Sequence, residues 1–352
     1  MSTIKQQIEF LENKIKSLDI EQNALKILAN SGYGAMGNQH FIYFKLENAE
    51  AITTTGQFVI RYIDREVNKF LQEIFKSKRD RVIISDTDSV VVELSDLFYQ
   101  NSPPIEERIE ILNKFAETVI QPKIGKIIKN IVFLFNAFPN LLAMKREILA
   151  DKTIVIAKKK YIMNVYDKEG VRFTSPKKKI MGLEAIKSST PAICKQLIRD
   201  TLDVFFTSDN STLLHYVENC KQKIILEATI DDIAFPRGLQ VFDVYQQAKK
   251  AIPIHVKAAI TFNNYISKQQ LTKKYELLKE GDKIKFCYLK LPNPFHSHVI
   301  AWNTNVVPKE LELDRFIDKE HQYYIGYLNP IESIIEAIGW TTKVRGEVSD
   351  LF

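Results

Sequence analysis

The chain has 352 residues, room for two or three structural units, and 45% of them are hydrophobic, which excludes a disordered chain. A formal net charge of +6 suits a polyanionic partner without requiring one. Cys194, Cys220 and Cys287 are too few and too far apart for a disulfide framework, and the six histidines are scattered, with no pair at zinc-ligand spacing. The opening Met1-Ser2-Thr3-Ile4-Lys5-Gln6-Gln7 lacks the apolar centre of a secretory signal. The most apolar run, Ile131-Val132-Phe133-Leu134-Phe135, is too short to span a bilayer, so a cytoplasmic protein with no membrane partner is expected.

Residues 4 to 29 are predicted as two helices. Ile8, Leu11, Ile15 and Leu18 recur at helical spacing, Asp19 can cap a second helix through Leu25 and Leu28, and Gly32, Gly34 and Gly37 should end it. A long helix follows from Asn48, with Ile52, Val59, Ile63, Val67, Phe70 and Ile74 on one face. Arg81 to Glu93 reads as a β-hairpin with a Ser-Asp-Thr-Asp-Ser tip. Residues 105 to 130 are helical, Tyr161 to Phe173 form a second hairpin, residues 189 to 225 are mostly helical, and residues 283 to 291 form a strand. No internal repeat or low-complexity linker interrupts the chain.

Two segments carry chemistry. In Lys26-Ile27-Leu28-Ala29-Asn30-Ser31-Gly32-Tyr33-Gly34, the residues Lys26, Asn30 and Tyr33 fall on one helix face: a cation for phosphate, an amide, and a ring for a base or sugar. A solvated lysine beside a buried tyrosine would carry two of the same residues. In Ile83-Ile84-Ser85-Asp86-Thr87-Asp88-Ser89, two carboxylates sit at i and i+2, on the same side if the strand geometry continues. Two like charges so close are unfavourable unless a cation neutralises them, and magnesium with hard oxygen ligands is the natural one. A polar capped turn would use the same residue types.

These segments resemble the family B (α-like) DNA polymerases. The helix is similar to the family's Lys-x-x-x-Asn-Ser-x-Tyr-Gly fingers motif and the hairpin to its Asp-Thr-Asp-Ser palm motif. Asn48-Ala49, Ala51-Ile52-Thr53-Thr54 and Gly56-Gln57 resemble the helix joining them, and Lys158-Lys159-Lys160-Tyr161 resembles the family's basic element. Lys179-Ile180-Met181-Gly182-Leu183-Glu184 with Lys187-Ser188-Ser189-Thr190-Pro191 resembles polymerases of T4-like bacteriophages. The resemblance is strong over residues 20 to 192 and weaker but collinear beyond, through Asn293-Pro294-Phe295 and Ile300-Ala301-Trp302.

The resemblance implies an α+β, partial right-hand fold: the C-terminal part of the fingers (residues 1–38), an antiparallel-sheet palm (39–182), a mainly helical thumb (183–340) and a clamp-binding tail (341–352). It implies Lys26, Asn30, Tyr33 and Gly34 as nucleotide-binding residues, and Asp88 with Asp86 as Mg2+ ligands, two ions in all. Glu147 is implied as a nearby palm carboxylate, and Lys158, Lys159, Lys160, Tyr161 and Lys187 as DNA contacts. Leu351 and Phe352 would fill a pocket on a sliding clamp. The implied reaction is template-directed addition of deoxynucleoside triphosphates to a primer 3′ end.

The sequence departs from the family in three places. Ile84-Ser85 stands where Tyr-Gly usually precedes the Asp-Thr-Asp. Lys145 stands where phage relatives tend to carry an acid. No Asp-x-x-Ser-Leu-Tyr-Pro-Ser segment is present to supply the other metal-binding aspartate, nor are the acidic motifs of the proofreading exonuclease. The expectation is therefore a split polymerase, with a partner chain carrying that aspartate and the exonuclease. The alternatives are a non-catalytic DNA- and clamp-binding accessory subunit, which has no need of an ion-binding turn, and an RNA polymerase or reverse transcriptase, against which the fingers motif argues.

Overall fold

The computed structural model describes residues 2–99, 101–240, 242–246, 252–303 and 307–341, which divide into two units, residues 1–146 and 147–352. Leu351 and Phe352 lie outside the described residues.

The first unit opens on α1 (Ser2–Met36), one helix where two were expected. It runs through Asp19 because no glycine or proline stands between Thr3 and Ser31 to interrupt its hydrogen bonds. It also absorbs Gly32 and Gly34, each about 1 kcal/mol worse than alanine within a helix, and stops just before Gly37. From Ile4 to Gly34 every residue is exposed. Helix α2 (Leu46–Phe75) begins two residues earlier than expected and is amphipathic as its spacing requires. Its Ile63, Val67 and Leu71 pack on Ile124, Ile127, Ile128, Ile131 and Val132, forming the core of this unit. Those last five lie on α4 (Gln121–Leu134), which continues α3 (Ile105–Phe115) through a π-turn at Ala116–Ile120. Between α2 and α3 stand β1 (Val82–Asp86) and β2 (Ser89–Val92), the expected hairpin.

The second unit begins with an antiparallel meander of β3 (Ile148–Ala157), β4 (Lys160–Lys168) and β5 (Val171–Met181). The β4–β5 hairpin was expected; β3 was not. Register shifts between Leu149 and Ala150 and between Ala150 and Lys152 break the two-residue alternation that marks a strand in sequence. Helices α5 (Ala192–Thr207) and α6 (Asn210–Gln222) follow as predicted, with Asp209 capping α6 by accepting from the Thr212 N–H. After α7 (Ile230–Ile233) comes a second sheet, ordered β6 (Phe235–Gly238), β7 (Lys283–Tyr288) and β8 (Val299–Asn303). Strand β7 is shorter than the 283–291 expectation, and β8 was not foreseen as a strand. Four successive residues of β8, Val299 to Trp302, are fully buried in the core beside α9 (Ile254–Lys268), which follows the short α8 (Asp243–Gln246). A strand buried on both faces shows an apolar run rather than alternation. Helices α10 (Lys319–Tyr323) and α11 (Asn329–Ala337) close the described part. Helices and antiparallel sheets are thus mixed, as an α+β fold requires. Among the described residues no helix is long and apolar enough to cross a membrane.

Candidate active site and nucleic-acid interface

The Asp-Thr-Asp tip is a tight turn. Strand β1 ends at Asp86, which pairs with Ser89, leaving Thr87 and Asp88 as a two-residue loop. Strand alternation therefore stops at Asp86, and the turn brings the backbones of the two aspartates together. The Asp88 N–H donates to the Asp86 carbonyl at 2.6 Å, and Thr87 adopts φ +54. A β-branched residue in the left-handed region is strained by about 1–3 kcal/mol, so the surroundings must hold this shape. The Thr87 hydroxyl donates to Asp86 Oδ1 at 3.0 Å and the Ser89 hydroxyl to the Asp86 carbonyl at 3.2 Å. Asp86 is half-buried and Asp88 exposed.

The far end of the hairpin is fastened more tightly. Arg81 is 1% exposed; its guanidinium donates to Glu93 Oε2 at 2.9 Å and to Asp96, and lies over the Phe75 ring. Asn68 Oδ1, on α2, accepts from the N–H groups of Arg81 (2.7 Å) and Val82 (2.9 Å). One turn back on α2, Asp64 accepts from Asn68 Nδ2 at 2.9 Å and is hydrogen-bonded to the Ser85 side chain. Burial raises the Asp64 carboxyl above its usual range, although those two hydrogen bonds oppose the shift. Burial also pushes Glu93 up, but the Ser95 and Arg81 hydrogen bonds and Arg79 outweigh it, and its carboxyl ends below the usual range. Asp96 is lowered chiefly by its hydrogen bond to Arg81. Sequence reasoning missed Arg81, Asn68 and Asp64. The regular register from the turn would set Arg81 opposite Leu94; only the bulge between Val82 and Ile84 brings it beside Glu93, so sequence spacing could not have found the pair.

On α1, Lys26, Asn30, Tyr33 and Gly34 are all exposed, the first three on one face as their spacing required. The second unit carries the basic residues. Lys158 and Lys159 form the two-residue β3–β4 turn, with Lys159 at φ +61, and Lys160 pairs with Ala157. Lys158 and Lys159 are exposed, whereas Tyr161 is buried. Lys178 donates to Asn164 Oδ1 at 3.0 Å and pairs with Asp203 at 2.9 Å. Glu147 is exposed, with Lys179 Nζ 3.9 Å from its carboxylate. Lys187 pairs with Glu184 at 2.7 Å, a surface bond worth about 0–1 kcal/mol, which a phosphate can displace.

The donors at the hairpin tip are two carboxylates, hard oxygens of the kind that magnesium takes, but among the described residues no three His, Cys, Asp or Glu side chains converge to hold a metal ion. The two carboxylates are thus donors of a kind magnesium takes, and they are fewer than a complete site needs.

The sequence profile of DNA polymerase family B matches residues 2–338. The chain belongs to DNA polymerase family B. It is 28% identical to the DNA-directed DNA polymerase of Enterobacteria phage T4, over all of this chain and 41% of that protein. It is 27% identical to the polymerase of Escherichia phage RB69, over 93% of this chain and 38% of that one. DNA polymerase 1 of Pyrococcus abyssi is 25% identical over 92% of this chain and 35% of its own length. The chain thus spans about two fifths of the length of its phage relatives, as a T4-like family B polymerase region.

Proposed function

We propose that this chain supplies the C-terminal catalytic part of a DNA-directed DNA polymerase, adding deoxynucleotides to a primer 3′ end. The observation that carries this reading is the Asp86–Thr87–Asp88 turn, held in a strained shape at the end of a hairpin fastened to α2, in a family B chain. Asp88 and Asp86 would hold Mg2+, with Glu147 as a further acidic group. When bound, the ions would activate the primer 3′-hydroxyl and stabilise the leaving pyrophosphate. Lys26 would neutralise the triphosphate, and Asn30, Tyr33 and Gly34 would shape the pocket for the nascent base pair. Lys158, Lys159, Lys160 and Lys187 would follow the duplex backbone, with Tyr161 packed beneath the lysine turn. In this reading residues 1–38 are fingers, 39–182 palm and 183–340 thumb, and the tail ending in Leu351 and Phe352 binds a sliding clamp. The setting is the cytoplasm of an infected bacterium.

The other wall of the metal site would come from polymerase sequence that precedes the fingers helix, which we place on a partner chain together with the exonuclease. Two apolar surfaces support this. Along α1, Ile4, Ile8, Leu11, Ile15 and Leu18 form a seam at alternating spacings of four and three, with Leu25 one heptad further on, all exposed. At the end of α4 and just beyond it, Phe133, Leu134, Phe138 and Leu141 are also exposed. Such rows of exposed apolar side chains suit an interface.

Primer extension with and without the partner tests the proposal. The chain alone should be inactive, and the partner that co-purifies from the native host should restore extension. Robust extension by the single chain would overturn the partner-dependent reading. A reconstituted complex that binds DNA and never extends it would leave an accessory subunit.

A further inference from the structure

The β3–β4–β5 sheet contains two glycines in the left-handed region, Gly170 at φ +90 and Gly182 at φ +69. They differ in what surrounds them. Gly170 lies in the β4–β5 turn, and a Cβ there would meet nothing within 4 Å. Gly182 follows the last residue of β5, one step beyond the Tyr161–Met181 pair, which sets it beside Lys160. A Cβ at Gly182 would lie 2.1 Å from the Lys159 carbonyl oxygen, 3.1 Å from the Lys159 carbonyl carbon and 3.2 Å from Lys160 Cγ. The atom in the way is backbone, so no rotamer change relieves the clash. Restoring an ordinary contact would push the Lys158–Lys159 turn out by roughly 1 Å or more.

We propose that Gly182 is a positioning residue for the lysine turn. With no side chain, it lets the Lys158–Lys159 loop close onto the end of β5, and this closure sets where the ammonium groups meet a nucleic-acid phosphate backbone. The proposal rests on the reading of these lysines as duplex contacts. Lysine is a point cation on a flexible stem, so the backbone position sets which phosphates it can reach. Lys159 is itself at φ +61, in the left-handed region, so the turn that would have to move is already a strained one. Gly182 acts through the turn and touches no substrate.

The test is primer–template binding by the full chain across a salt series, read by fluorescence anisotropy on a labelled duplex. Lys159→Gln should lower the slope of log K against log salt by about 0.9, the value for one phosphate contact. Gly182→Ala should lower it by the same amount, and the double variant should fall no further. Gly170→Ala carries the same kind of backbone penalty without the clash, so it should lose about 2–4 °C in Tm and Gly182→Ala somewhat more. Gly170→Ala should nevertheless bind DNA like the wild type.

If Lys159→Gln loses slope and Gly182→Ala does not, the proposal is overturned while the lysine reading stands. If Lys159→Gln binds like the wild type, or the wild type does not bind, the lysine reading fails first and the proposal with it. Additive losses in the double variant, an equal loss in Gly170→Ala, or a Gly182→Ala chain that does not fold would each overturn the proposal, since Gly182 would then serve the sheet and not the turn.

Discussion

Arg81 and Glu93 tie the two ends of the β1–β2 hairpin together: the Arg81 guanidinium donates to Glu93 Oε2 at 2.9 Å, and the Glu93 N–H donates to the Arg81 carbonyl at 2.8 Å. The fastening lies at the opposite end of the hairpin from the aspartates, so the tip stays open while its base is fixed.

Arg81→Met keeps the apolar contact with Phe75 and leaves Glu93 and Asp96 without their shared cation. The expected loss is about 2–3 kcal/mol, at or just below the range for a fully buried pair because both carboxylates retain some access to water. Urea denaturation, followed through the transition of the first unit, measures it. A change below about 0.5 kcal/mol, the usual size for a surface substitution, would show that the hairpin does not depend on this residue.

The pH dependence has two opposed parts. Glu93 and Asp96 are held below the usual carboxylate range, so the stability they contribute is full above their unfolded values and is lost as pH falls through their folded ones. Asp64 is raised, so its contribution is full below its unfolded value and is lost as pH rises through its folded value. Asp64→Asn keeps an acceptor for Asn68 and Ser85 and removes the titration. The variant should equal or exceed the wild type in Tm at pH 7 and lose that advantage as pH drops through the carboxylate range. A constant difference in Tm from pH 3 to pH 7 would contradict the assigned shift.

Asp88→Asn in the reconstituted enzyme should reduce single-nucleotide addition by several orders of magnitude, as expected for a lost metal ligand, with primer–template affinity nearly unchanged. Lys26→Ala should mainly raise the triphosphate concentration needed for half-maximal rate. Near wild-type extension by Asp88→Asn would reduce the tip to an ordinary turn.

Replacing Lys159 and Lys187 together with alanine should weaken primer–template binding equally for all sequences and lower the salt slope by about 1.8, two phosphate contacts' worth. Titrations of two unrelated duplexes at several salt concentrations measure both effects. Sequence-dependent losses would mean that these lysines read bases.

Deleting Ser349 to Phe352 should leave single-nucleotide addition intact and shorten long products only when the cognate clamp is present. Product lengths with and without clamp, for full-length and truncated chains, decide the matter. Equal clamp stimulation in both would move any clamp contact elsewhere on the molecule.

Local features were legible in the sequence. The amphipathic period of α2, the turn residues at 86–88 and the hairpin from Tyr161 to Phe173 are encoded within a few residues of where they act, so composition and spacing by themselves determined them. The side-by-side placement of Lys26, Asn30 and Tyr33 followed from helix geometry alone. What failed was non-local or absent. Strand β3 is extended because β4 pairs with it, and its bulges erase the alternation that would have announced it. Helix α1 stays single because nothing in its sequence breaks it. The burial of Arg81, the clamp of Asn68 on the start of β1 and the approach of Gly182 to the Lys159 carbonyl exist only once distant segments have packed. Residue types at the tip thus follow from sequence, whereas the groups that hold the tip and the lysine turn in place were decided by tertiary contacts. Such contacts depend on which backbone atoms come within van der Waals or hydrogen-bonding distance, and periodicity does not encode that.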